Sequence, residues 1–307
     1  MGRYVARRLL QMAPVFVGAT LLIFLMVNVM GDPVAGLCGE RRCDPATAAR
    51  LKQEFGLDQP VWRQYLTYMA NVFTGDFGTA FNGQAVTELM ATSFPVTFRL
   101  TIVAILFEIA VGVTLGVVTG LRRGRPVDTG ALLVTLVVIS VPTFVTGLLL
   151  QLLLGVEWGW IKPSVSPEAG FGELLVPGLV LASVSLAYVT RLTRTSIAEN
   201  ARADYVRTAV AKGLPRHRVI VRHLLRNSLI PVVTFIGADV GFLMGGAIVT
   251  ERIFNIHGVG YQLYQGILRQ STQTVVGFVT VLVLVFLVAN LLVDLLYAVL
   301  DPRIRYV

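Results

Sequence analysis

The sequence predicts an all-α, polytopic membrane protein on three observations: its composition, a series of long apolar runs, and the placement of its basic residues. Of 307 residues, 55% are hydrophobic and 14% are charged, against roughly 25% charged in a typical soluble protein. So few charges cannot cover a globule of this length. A formal charge of +8 admits nucleic acid, anionic lipid or an acidic partner, and on so apolar a chain membrane topology is the first explanation to test.

Crossing a hydrocarbon core takes roughly 20 apolar residues as a helix. Six runs qualify: Leu9 to Met30, Val96 to Leu121, Ala131 to Leu154, Glu173 to Thr190, Leu229 to Thr250 and Thr274 to Tyr297. None has the polar face of a soluble core helix. The first follows Arg3, Arg7 and Arg8 but is longer than the h-region of a cleaved signal peptide, so it reads as an uncleaved span. Pro142 and Pro177 are expected to kink the third and fourth. The organisation expected is span one over 1–30, an external region over 31–95, a core of five spans over 96–298 and a tail over 299–307.

Seventeen of the 26 basic residues fall in the N-terminus, in Arg122 to Arg125, in the connection 191–228 and in the C-terminal tail. Basic residues accumulate on the cytoplasmic side, so both termini are expected there. Arg99, at the outer edge of span two, can snorkel outward. Asp44-Pro45 and Asp58-Gln59-Pro60 mark helix starts or turns in the external region. Cys38 and Cys43 lie in the same region, where a disulfide can persist; two reduced thiols in a loop are the alternative. Two thiols without a nearby His make a poor metal cage, and no metal site is expected.

Two spans carry glycines at every fourth position, Gly112, Gly116 and Gly120 in the second and Gly237, Gly241 and Gly245 in the fifth. Small residues at this spacing admit close helix packing, within the chain or at a subunit or gating interface. Ionisable residues within the spans are scarce, and Glu108, Asp239 and Asp294 are among them. Asp294 is close enough to the cytoplasmic end to reach the interface. Glu108 and Asp239 sit deeper, where they either line a pathway or make a buried polar contact.

The connection between spans four and five is the most informative stretch. Asp204 is suited to an N-cap, Gly213 to the C′ position, and Pro215 blocks continuation. Between them the sequence predicts a helix from Tyr205 to Lys212, roughly 12 Å long, with a second helix from about Arg216 into span five. So short a helix needs a partner. Tyr205, Thr208, Ala209 and Lys212 would share a face shaped for a groove on another protein; a basic loop resting on anionic lipid is the alternative.

The string Tyr205-Val-Arg207-Thr208-Ala209-x-Ala-Lys212-Gly213-Leu214, with the Leu229-Ile230-Pro231 that follows, resembles the coupling loop of binding-protein-dependent ABC importer permeases of the dipeptide/oligopeptide/nickel branch. The resemblance extends to Gly245-Gly246-Ala247-Ile248-Val249-Thr250-Glu251-x-Ile253-Phe254, Gly258-Val259-Gly260, Asn290 to Arg305, Tyr4-x-Ala6-Arg7-Arg8-Leu9 and Gly75-Asp76-Phe77-Gly78. It implies a type I importer fold in an inner membrane, with Tyr205, Arg207, Thr208, Ala209, Lys212, Gly213 and Leu214 docking on an ATPase. It also implies a second permease subunit, two ATPase subunits or one fused ATPase, and an external solute-binding protein. The cargo it implies is a dipeptide first, then longer peptides, nickel chelates or haem. His257, where this branch usually has Pro, and Gln270-Ser271-Thr272, where it usually has Asp-x-Pro, depart from the pattern.

No G-x-x-x-x-G-K-[ST], H-E-x-x-H or G-x-S-x-G occurs, so ATP and Mg are expected on partner subunits and no catalytic residue on this chain. A stand-alone, proton-coupled secondary transporter is a competing class that rests on Glu108 and Asp239 alone.

Overall fold

The computed structural model describes residues 2–30, 44–54, 56, 58–80 and 82–300. Cys38, Cys43 and the tail after 300 lie outside them. The described chain is helical throughout, apart from connections and one isolated bridge between Thr79 and Ala85. The helices are α1 (Gly2–Met30), α2 (Pro45–Glu54), α3 (Val61–Thr74), α4 (Val86–Leu121), α5 (Pro126–Ser140), α6 (Thr143–Glu157), α7 (Leu175–Asn200), α8 (Asp204–Ala211), α9 (Ile230–Ile253), α10 (Val259–Leu268) and α11 (Thr272–Leu300).

Among the described residues, five helices are long and apolar enough to cross a membrane: α4, α7 and α9 whole, and α1 and α11 over Val5–Asn28 and Thr272–Leu295. The sixth candidate is the pair α5 and α6, which meet at a bend of 97°. The expected kink at Pro142 is thus a full break. Val141 and Pro142 are extended, with ψ of 124° and 137°, and Pro142 is the N-cap of α6, a position that needs no backbone N–H. Pro177 behaves differently, since it falls in the first turn of α7, where the missing donor costs nothing. The fourth span accordingly runs Leu175–Asn200, longer at its C-terminal end than the expected Glu173 to Thr190.

The chain divides into two compact units. One comprises Met1–Phe98 and Ala247–Val288, the other Arg99–Gly246 and Ala289–Val307. In the first unit, Phe24, Tyr65 and Val276 form one buried cluster, and Val86, Met90, Val259, Leu263 and Phe278 another. The Phe94 and Phe278 rings stack in parallel at 6.1 Å. In the second unit, α4 packs along α7 through its glycines. A Cβ on Gly120 would lie 2.7 Å from the Ile197 Cβ, and one on Gly116 2.7 Å from the Thr190 carbonyl oxygen. Only a bare Cα admits that approach, in which dispersion and Cα–H···O contacts hold the helices.

On α6, Leu148, Leu149, Leu152, Leu153 and Val156 are all exposed. The band ends at Trp158 and Trp160, whose rings sit 4.7 Å apart. The loop that follows is fixed at both ends. Glu173 accepts hydrogen bonds from the Ser166 hydroxyl (2.6 Å) and N–H (2.9 Å) and from Lys162 (3.0 Å). These donors hold its carboxyl down at about 2. Arg99 donates to the carbonyls of Glu168 and Ala169 at 2.8 and 3.2 Å. The side chain expected to snorkel therefore ties down this loop.

Candidate functional site

α8 occupies the connection where the sequence placed a short helix. It starts one residue earlier, because Ala203, extended at ψ 148°, is the N-cap and makes no side-chain cap bond. Asp204 instead opens the first turn, where a negative charge favours the helix N-terminus, 3.9 Å from the Arg207 guanidinium. The stop follows the predicted chemistry. Gly213 has φ +73°, its N–H donates to Val210 O (2.9 Å), and that of Leu214 donates to Ala209 O (3.3 Å). A left-handed residue with these two closing bonds ends the helix.

The faces of α8 differ from the expectation at one residue. Val206 and Ala209 are 7% and 4% exposed and pack with Ile197, Val219 and Leu224, with Leu214 alongside. Ala209 therefore belongs to the anchoring face, not to the outward face predicted with Tyr205, Thr208 and Lys212. The reason is the helix's shortness: eight residues do not hold themselves in water, and Val206 and Ala209 (i, i+3) are the small apolar side chains available as an anchor. Outward lie Tyr205, Arg207, Thr208, Val210, Lys212 and Gly213, with Val210 60% exposed.

Two further ties fix this connection to α7. The Tyr205 hydroxyl donates to Asn200 Oδ1 (2.7 Å), and the Ser196 hydroxyl donates to Ser228 O (2.8 Å). Beyond Pro215 the chain is helical through Arg216–Arg218, a π-helical turn Val219–Leu225, and Arg226–Ser228. The wide turn sets buried Val219 and Leu224 five residues apart and leaves Arg218, Arg222 and Arg226 exposed.

The chain matches two family profiles: binding-protein-dependent transport system inner membrane component over residues 112–306, and the N-terminal part of such membrane components over residues 1–101. The chain belongs to that family. It is 39% identical to the dipeptide transport system permease protein DppB of Escherichia coli (strain K12), over 100% of this chain and 99% of the relative. It is 37% identical to the di/tripeptide transport system permease protein DppB of Pseudomonas aeruginosa, covering 99% and 98%. It is 36% identical to the glutathione transport system permease protein GsiC of Pectobacterium atrosepticum, covering 100% of both.

In this binding-protein-dependent membrane component, the two glycine series serve different neighbours. Gly112, Gly116 and Gly120 face Val189, Thr193 and Ile197 of α7. Gly237 faces Val293 of α11, Gly241 is half-buried, and Gly245 has open space where a side chain would stand. Glu108 and Asp239 are neighbours, 0% and 8% exposed, and the Ser185 hydroxyl lies beside Asp239. Glu108 lies at the start of a π-helical turn, Glu108–Val113. Neither of its oxygens, nor Oδ2 of Asp239, meets a partner in hydrogen-bond geometry. Among the described residues, no group of three or more His, Cys, Asp or Glu is placed to hold a metal.

Two arrangements of this family member escaped sequence reasoning. In one, Arg194 grips Asp128 through Nε–Oδ1 at 2.5 Å and Nη2–Oδ2 at 2.8 Å. In the other, the Thr97 hydroxyl donates to Glu251 Oε1 (2.5 Å) and accepts from Val259 N–H (2.8 Å), while Tyr261 N–H donates to Glu251 Oε2 (2.9 Å). Glu251 thus caps α10 from a distance, and a side chain on Gly258 would overlap it. The Gly258-Val259-Gly260 string was the available signal: glycines at a helix start mark a close approach.

Proposed function

We propose that this chain is a transmembrane permease subunit of an ATP-driven importer of peptides, dipeptides first. The observation that carries this reading is full-length similarity to dipeptide and di/tripeptide permeases. The glutathione permease match adds a tripeptide to the candidate cargo and fits the same reading. The chain forms the pathway with a second, similar permease, and cargo arrives on an external solute-binding protein. Both termini face the cytoplasm of a prokaryotic cell.

Energy enters through α8 and the turn after it. Tyr205, Arg207, Thr208, Lys212 and Gly213 present an aromatic, cationic and compact surface to an ATPase cleft, while Ala209 and Leu214 seat the helix on its own chain. ATP and Mg bind the partner subunits, whose closure displaces α8; Ile197 and the Ser196–Ser228 tie pass the displacement to α7. The bundle opens outward to take cargo, and hydrolysis and release return it. Zero exposure of Glu108 supports a buried contact between the second and fifth spans over a role in lining an open pathway.

The test is ATP-dependent uptake by the reconstituted complex, with dipeptides, glutathione, a nickel chelate and haem as competitors. Competition by haem or the nickel chelate and not by peptides would replace the peptide assignment. Uptake by the purified chain without ATPase subunits would replace the mechanism. A Gly213→Glu variant that inserts normally and transports at the unaltered rate would remove α8 from the coupling path.

A further inference from the structure

α3 falls within residues 31–95, the region expected on the external side. At roughly 100° per residue, its sequence sorts into three sectors. The first faces the protein. Tyr65 is 8% exposed; its hydroxyl meets Thr20 Oγ1 at 2.9 Å and donates to Val17 O at 3.2 Å. The Tyr68 hydroxyl meets Thr280 Oγ1 at 2.7 Å. The Phe24 ring lies 5.5 Å from that of Tyr65 and 5.8 Å from that of Tyr68.

The second sector carries Trp62, Leu66 and Phe73, which are 64%, 58% and 82% exposed. The third carries Arg63, Thr67, Asn71 and Thr74, all exposed. A helix in water has no use for the second sector, and a helix buried in lipid could not accommodate the third.

Its partners give the depth. Thr20 stands eight residues from Asn28, where the apolar part of α1 ends, and Thr280 eight residues from Thr272, where α11 begins. Each is therefore about 12 Å inside the end of its span. Both ends of α3 are finished. Pro60 precedes it, and Gly75, at φ 80°, closes it with Gly75 N–H on Val72 O (3.1 Å) and Asp76 N–H on Asn71 O (2.9 Å). Few backbone groups are left to seek water.

We infer that α3 is an interfacial helix of the leaflet opposite the chain termini, with Trp62, Leu66 and Phe73 set among lipid chains and Arg63, Thr67, Asn71 and Thr74 toward water. Protein, lipid and water each take one sector. The lipid is the occupant of the apolar sector because α3 packs on α1, a membrane span whose Leu22, Leu25 and Met26 also lie open.

The test is spin labelling of the assembled transporter in lipid, in a Cys38→Ser/Cys43→Ser background, at Leu66→Cys, Phe73→Cys, Thr67→Cys and Asn71→Cys. The first two labels are expected to relax with oxygen and resist a water-soluble nickel chelate, and the last two the reverse. Labels at 66 and 73 shielded from both agents would mean a protein partner covers the sector; labels open to the chelate would place α3 in water. Either result overturns the inference. If the background fails to fold, Trp158→Phe/Trp160→Phe leaves Trp62 as the sole tryptophan of three. Its emission in the full reconstituted chain should fall in brominated lipid and survive iodide, and the opposite pattern also overturns the inference.

Discussion

Arg194 and Asp128 form a two-pronged ion pair, 2.5 and 2.8 Å, between the later turns of α7 and the first turn of α5. The Asp128 side chain is 3% exposed and that of Arg194 19%. Asp128 Oδ2 also accepts the Gly124 N–H at 2.8 Å, so one carboxyl fixes both the turn before α5 and the helix that leads into α8. Removing one partner of such a pair leaves a charge short of solvent, which costs about 3 kcal/mol or more. Asp128→Asn should lower the thermal midpoint of the detergent-solubilised protein. The exchanged pair Asp128→Arg/Arg194→Asp should recover part of the loss, and no recovery would mean the Gly124 contact dominates.

Gly213 tests the turn after α8 without crowding it. Nothing lies within 4 Å of a side chain there, yet φ is +73°. Gly213→Ala is therefore expected to destabilise the turn by about 1 kcal/mol through backbone conformation alone. Gly213→Asn should cost less, since Asn tolerates the left-handed region. Hydrogen exchange at the Leu214 amide reads both.

The glycines separate by neighbour. Gly116→Leu would drive a side chain into Thr193 and the Thr190 carbonyl, so misfolding or loss of insertion is expected. At Gly245 a side chain meets open space, and Gly245→Leu should fold. If it folds but no longer assembles with a second permease, that face of α9 is a subunit contact; size-exclusion chromatography of the co-expressed subunits decides.

Glu251→Ala should release α10, because Tyr261 N–H loses its carboxylate acceptor and the Thr97 hydroxyl, which receives the Val259 N–H, loses its contact with Glu251 Oε1. A buried donor left unsatisfied costs roughly 1–3 kcal/mol. Faster proteolysis within 254–271 is the expected sign, with α8 unaffected. Equal protection in the two proteins would show that Gly258 and Gly260 hold α10 by packing alone.

The loop capped by Glu173 has a defined pH response. Its folded carboxyl titrates at about 2, below the ordinary value. Its contribution is therefore fully present above the ordinary carboxyl pKa and lost as pH falls through the folded value. Protection of the Ser166 amide should hold from pH 7 to 4 and fail toward pH 2. Glu173→Gln should remove the pH dependence and loosen the loop at every pH.

Much of the fold is legible because membrane spans are written in consecutive residues. Composition over some twenty positions locates α1, α4, α7, α9 and α11. The end of α8 is legible for a similar local reason, since Gly213 and Pro215 act within a single turn. The expected span over Ala131 to Leu154 shows the limit. Apolar composition is blind to direction, and whether Pro142 bends a helix or starts a new one depends on the backbone before it.

The sequence by itself determined that this chain is a helical membrane protein, where α8 must end, and which family's motifs it carries. Each of these depends on side chains close together along the chain. The tertiary structure decided that Ala209 faces inward, that Asp128 belongs to Arg194 and Thr97 to Glu251, and that α3 lies against α1 and α11. Those pairings join residues far apart in sequence, and they follow from which surfaces can approach closely enough to exclude solvent.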